Sequence, residues 1–199
     1  MLIGSLKSLN LTNNTYFGYS VGVSEDATTV IGAGNAGQEL MIFDSTGDGS
    51  GRVYTQTQRI TAPTTGKGFG TDCDISGDKS RIAVGGNTGG GICAIYYHNG
   101  SSWVLETELS LPASSAAFGY HVKFNYTGDI LFVSDPFKGS GNIYVYTRSG
   151  STWSLVNTIT PSIGSYLGKD MDINRDGDMV MSNLYFSSPN RSGLVYYYV

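Results

Sequence analysis

Two sets of residues in this 199-residue chain have types and spacings that could do chemistry. The first is Asp172-Ile173-Asn174-Arg175-Asp176-Gly177-Asp178, where Asp172, Asn174 and Asp176 offer oxygens at alternate positions and Gly177 permits a sharp turn. Hard oxygen ligands at this spacing suit calcium, although Val180 stands where a further acid would complete the set. The same residues also fit an Asx-type hairpin turn. The second set is Ser20, Asp72, His121 and Asp170, with Gly22, Asp74, Lys123 and Asp172 two residues further on. Each set of four occupies one position in four similar segments, so segments arranged about an axis would turn each set into a ring. Two carboxylates and an imidazole in such a ring could hold a cation or an ordered water network. They could equally satisfy one another through hydrogen bonds and ion pairs between neighbouring segments. Calcium is the one cofactor with any pattern behind it.

Catalytic signatures are missing from the sequence. The histidines are His98 and His121, there is no Gly-x-Ser-x-Gly elbow, and the glycine-rich stretch from Gly85 to Gly91 joins two apolar runs rather than leading into a helix. The expectation is a chain that is not an enzyme. Cys73 and Cys93 lack metal-type spacing with histidine. They fall on the first and third strands of one segment, two inter-strand spacings or ~9.6 Å apart, beyond disulfide reach, and are expected to be free thiols.

The elements that would position these groups come from an internal repeat. Eighteen residues align without gaps from Phe17-Gly18, Phe69-Gly70, Phe118-Gly119 and Leu167-Gly168. Apolar residues alternate just after each start: Val21 and Val23, Cys73 and Ile75, Val122 and Phe124, Met171 and Ile173. That alternation predicts a strand. A turn rich in Asp, Gly, Ser and Asn follows, then an almost unbroken apolar run such as Ile130-Leu131-Phe132-Val133, the mark of a strand covered on both faces. A third, aromatic-rich strand is predicted at Leu40 to Phe43, Ile92 to Tyr97, Ile143 to Tyr146 and Leu194 to Tyr198. A fourth opens at Tyr54, Trp103 and Trp153 in three copies. For the last copy, residues 2–9 have the character of the missing strand, so they are expected to complete its sheet and close the ring. On this reading residues 1–199 form one domain.

Composition fits. The chain is 40% hydrophobic and 14% charged with 28 glycines, which suits short strands and tight turns. A net charge of −4 with only 12 Lys and Arg gives no footprint for a nucleic acid, and no apolar stretch is long enough for membrane insertion. No signal peptide is detected.

A Phe-Gly start, an alternating strand, an Asp/Gly turn and an apolar strand ending in Gly32-Ala33-Gly34, Gly85-Gly86 or Ser134-Asp135-Pro136 resembles the FG-GAP repeats of integrin-α-like β-propellers. The resemblance covers nearly the whole chain and implies an all-β, four-bladed β-propeller of four-stranded antiparallel blades. The family usually closes with seven blades, so a four-bladed ring within one chain is expected here, with a larger ring shared by two chains as the alternative. The resemblance also directs attention to the calcium-type turn at Asp172. By analogy of composition and fold, the expected function is a structural or adhesion component of a virion surface, such as a phage capsid decoration, fibre or tail knob. It would be located there or extracellularly after release, with other proteins of the assembly or a cell-surface receptor as partners. The alternative is a multivalent carbohydrate-binding propeller using Tyr54, Trp103, Trp153 and Tyr196-Tyr197-Tyr198 as sugar platforms.

Overall fold

The structure, a computed structural model, describes residues 16–47, 51–109, 115–161, 166–184 and 194–198. These residues build antiparallel sheets, each a meander of consecutive strands, with no α-helix among them. The first sheet runs β1 (Ser20–Val23), β2 (Thr29–Gly34), β3 (Glu39–Thr46) and β4 (Val53–Thr61). The second runs β5 (Asp72–Ile75), β6 (Arg81–Gly86), β7 (Gly90–His98) and β8 (Trp103–Glu108). A short β9 (Ala117–Phe118) pairs in parallel with β7. The third sheet holds β10 (Val122–Phe124), β11 (Ile130–Asp135), β12 (Asn142–Ser149) and β13 (Thr152–Ile159), and the last β14 (Met171–Ile173), β15 (Val180–Leu184) and β16 (Leu194–Tyr198). The expected strand complement of the last sheet, residues 2–9, lies outside the described residues.

Hydrophobic alternation explains how the sheets stack. In β6, neighbouring residues point to opposite faces: Ile82 and Val84 join a core with Ile31, Leu40 and Ile42 of the first sheet, while Ala83 joins one with Leu131 and Val133 of the third. All six residues of β6 are therefore buried. Another core, formed by Phe132, Ile143, Met171 and Val180, joins the third sheet to the last. The outermost strands β4 and β13 show the half-exposed pattern of strands with one face to solvent. Face-to-face packing of successive meanders through their inner strands is the arrangement of a β-propeller.

The starts of the second, third and fourth repeats, Phe69-Gly70, Phe118-Gly119 and Leu167-Gly168, are latches between sheets. Phe69, Phe118 and Leu167 are fully buried, and β9 carries Phe118 alongside Gly91 as Leu167 bridges to Gly141. The glycine after each holds φ between +86° and +94°, the left-handed region open to glycine. At Gly119 the constraint is doubled, because a β-carbon there would stand 1.9 Å from the Ile92 carbonyl oxygen.

Cys73 and Cys93 are buried free thiols, as expected. Register explains the separation: Cys73 pairs with Val84, whose partner on β7 is Ala94, so Cys93 faces the opposite core.

Candidate functional site

The innermost strands β1, β5, β10 and β14 are sheet edges, and their unpaired backbone donors must find acceptors. Asp72 and Asp74 on β5 supply them. One oxygen of Asp72 accepts the Val122 N–H at 2.9 Å, and one oxygen of Asp74 accepts the Phe124 N–H at 2.7 Å. Because strand period is two, a D-x-D on one edge matches alternate N–H groups on the next. The same Asp72 oxygen lies 3.1 Å from His121 Nδ1. His121 in turn bonds the backbone of Lys169 on the approach to β14. Ser20 reaches from the first sheet to the second, donating to the Gly70 carbonyl at 3.4 Å and lying 3.3 Å from Cys73 Sγ. Ser20, Asp72 and His121 therefore fasten sheet to sheet, and Asp170 adds an exposed carboxylate whose field acts on His121.

Electrostatics follow from this crowding. Burial pushes the Asp74 carboxyl up to about 7, opposed by the Lys123 ammonium and the Phe124 N–H and aided by Asp72. Burial works against the charged form of His121, but the Asp72 hydrogen bond and the charges of Asp72 and Asp170 outweigh it and raise the imidazole. Lys123 is likewise raised, burial being overcome by Asp74, Asp72 and Asp172.

Toward the hairpin turns the axis opens into a shallow pocket of about 260 Å³, lined by Asp74, Lys123 and Asp172 together with Phe124, Ile75 and Ile173. The rim comes from one repeat position: Glu25, Gly77, Tyr126 and Arg175, one from each sheet's first turn. Arg175 pairs with Glu25, and its guanidinium lies 3.5 Å from the centre of the Tyr126 ring, an ion pair and a cation–π contact at once.

The calcium-type residues each make contacts of their own. Asp172 lines the axial pocket and accepts the Ile173 N–H. Asn174 closes the hairpin by accepting the Met179 N–H and donating to Asp178, and Asp176 is exposed. Among the described residues no group of three or more His, Cys, Asp or Glu side chains is arranged to hold a metal ion.

The predicted sugar platforms also serve other contacts. Trp103 is buried in the core between the first two sheets. Trp153 packs at a tilt against Phe124, centroids 5.8 Å apart, and donates to Glu106, which also holds Arg81 at 3.0 Å. Tyr54 donates its hydroxyl to the Ala27 carbonyl. Of Tyr196, Tyr197 and Tyr198, the backbone alone is described, in β16. Sequence reasoning missed Asp135, which is fully buried and accepts the Ala116 and Ala117 N–H groups, fixing β9. An acid at a position that is glycine in the first two copies was the available signal.

No protein-family profile matches the chain, and no curated protein matches it in sequence. Similar solved structures exist at low identity. Hydrazine synthase from Kuenenia stuttgartiensis superposes with a TM-score of 0.67 at 14% identity, covering 96% of this chain and 49% of that one. A candidate 6-phosphogluconolactonase from Bacteroides uniformis gives 0.64 at 9% identity, covering 89% and 57%. The β-propeller domain of Swd1 from Myceliophteria thermophila gives 0.59 at 10% identity, covering 84% and 49%. The chain spans about half the length of these structures, and the likeness is one of fold: an all-β propeller.

Proposed function

We propose that this chain is a non-catalytic binding and assembly module, a four-bladed ring displayed on a particle surface such as a virion, with proteins of that assembly as its partners. The observation that carries the reading is the use of the axial acids. Asp72 and Asp74 accept backbone N–H groups of the adjoining sheet, so the groups best suited to acid–base work hold sheets together.

Four-bladed closure has two supports. Arg175 and Glu25 join the last repeat to the first across 150 residues of sequence. Val21 and Val23 are 68% and 57% exposed, whereas their repeat counterparts Cys73, Val122, Met171, Ile75 and Phe124 are buried. An apolar face on the first sheet thus matches the one the last sheet would cover once residues 2–9 complete it. In that ring the Asp170-Met171-Asp172 edge would serve Val21 and Val23 as Asp72 and Asp74 serve the third sheet.

The enzymatic reading to test against is lactone hydrolysis, the activity suggested by the Bacteroides uniformis neighbour. Purified protein is expected to leave 6-phosphogluconolactone and simple aryl esters at background rates while co-purifying stoichiometrically with intact particles of its source. Turnover abolished by His121→Ala or Asp72→Asn in a folded protein would overturn the proposal.

Carbohydrate binding is the second reading. It is favoured by exposed aromatic rings at the Phe-Gly end of the axis, opposite the turn pocket.

A further inference from the structure

The shallow pocket at the turn end of the axis carries charges that fastening the sheets does not use. Its lining brings together Asp74 of β5, Lys123 of β10 and Asp172 of β14. Because β10 packs between β5 and β14, the Lys123 ammonium has a carboxylate on the strand to either side. Both carboxylates act on it electrostatically, yet among the described residues Lys123 forms an ion pair with neither. An ammonium has three donors and no acceptor, so a half-buried one is stabilised by an acceptor that enters beside it.

The mouth of this pocket is held in shape by contacts that run from one sheet's first turn to the next. Arg175 pairs with Glu25 and lies over the Tyr126 ring. Tyr126 leans over Gly77, where a β-carbon would collide with the ring and come within 3.1 Å of the Glu25 carboxylate. Glu25 and Arg175 thus neutralise each other at the rim. The charges left to face a ligand are those of Lys123, Asp74 and Asp172.

Those charges select the ligand. A metal cation would meet the Lys123 ammonium, and no group of three or more acids, histidines or cysteines among the described residues is arranged to hold one. A simple anion would meet two carboxylates. A zwitterion satisfies both signs, with its anionic end on Lys123 and its cationic end on the acids. Asp74 in particular favours a cation beside it. Burial lifts its carboxyl to about 7 against the opposing pull of Lys123, and a second ammonium nearby would restore the charged form. At about 260 Å³ the pocket falls below the roughly 300–1,000 Å³ of drug-sized sites, so a small metabolite fits the space. Ile75, Phe124 and Ile173 add apolar lining suited to an aliphatic side chain.

We propose that this pocket binds a free aliphatic α-amino acid of about the size of valine. Its carboxylate is taken by Lys123, its ammonium by Asp74 and Asp172, and its side chain by Ile75, Phe124 and Ile173. The inference goes beyond the assembly reading, since it holds whatever surface the ring is displayed on.

The test is titration calorimetry at pH 8 with L-valine and its two half analogues, isobutylammonium, which lacks the carboxylate, and 3-methylbutanoate, which lacks the ammonium. The proteins are wild type, Lys123→Met, Asp172→Asn and, as a remote control, Val104→Ser. Saturable binding of one L-valine per chain is expected on wild type and control. Each half analogue should bind at least tenfold more weakly than L-valine, the scale of one lost hydrogen bond to a charged group. Lys123→Met and Asp172→Asn should each weaken L-valine by a similar factor. Circular dichroism establishes that each variant is folded, and Asp172→Asn, at an exposed position, carries the test should Lys123→Met fail to fold. Absence of L-valine binding to wild type would overturn the site, as would L-valine affinity unchanged in the folded variants. A half analogue binding as tightly as L-valine would show a plain cation or anion site and overturn the zwitterion. Each of these results leaves the assembly reading to stand or fall on particle co-purification.

Discussion

Replacing Asp74 with asparagine should change stability in a manner that depends on pH. In the unfolded chain its carboxyl titrates near 3.8, and in the fold near 7. Below 3.8 both states hold the proton. As pH rises towards 7 the folded form keeps a proton that the unfolded form has lost, so stability falls by up to about 1.4 kcal/mol per pH unit, then levels off. The full interval gives an upper bound of ~4 kcal/mol. Lys123 loses a favourable neighbour in the variant, and the site is only half-buried, so about half that figure, ~2 kcal/mol, is the working estimate. Asparagine keeps an oxygen for the Phe124 N–H and removes the charge. The stability of Asp74→Asn relative to wild type should therefore improve by about 2 kcal/mol between pH 4.5 and pH 8. In a domain of this size that corresponds to roughly 4–8 °C in melting temperature. Thermal unfolding followed by circular dichroism across that range is the assay. The raised His121 gives a further loss of stability as pH rises through its folded value, common to both proteins. Parallel pH profiles for the two would refute the argument.

Asp72→Ala strands the N–H of the fully buried Val122 and frees His121, and should cost about 3 kcal/mol, read as a lower urea midpoint. The same variant should weaken the alkaline-side fall in stability due to His121, on which Lys169 and Asp170 still act, and NMR titration of the imidazole would follow the change directly. Gly119→Ala forces a β-carbon against the Ile92 carbonyl at positive φ and should yield no cooperatively folded protein. Gly150→Ala, at φ +61° with open space around it, should cost only about 1–2 kcal/mol; equal effects of the two would contradict the latch.

Much of the architecture was legible because repeat and alternation coincide. The apolar runs at Ile82 and Ile130 announced strands covered on both faces, and the Phe-Gly starts marked the latch, whose glycine needs positive φ in every copy. The pairing of D-x-D with alternate N–H groups was half visible: period two placed Asp72 and Asp74 on one side of the strand, but which neighbouring edge they meet is a tertiary fact. Each described fourth strand joins the third through a register shift, at Ile42/Phe43, Ile95/Tyr96 and Val145/Tyr146. A β-branched residue followed by an aromatic stands at all three, but that pair suits any strand, so it did not announce the bulges in advance. The strand-four aromatics misdirected the search for a ligand site, because recurrence at equivalent positions reports packing between sheets as readily as binding.

Closure of the ring within one chain is the claim on which the account turns, and the contact between the first and last turns tests it. Glu25→Cys with Arg175→Cys places thiols where the two side chains now meet, while the native Cys73 and Cys93 stay buried. A short bis-maleimide added to dilute protein, followed by mass spectrometry, should give one chain carrying one linker bridging positions 25 and 175. Cross-linked dimers as the main product, with the two positions joined between chains, would contradict closure within the chain.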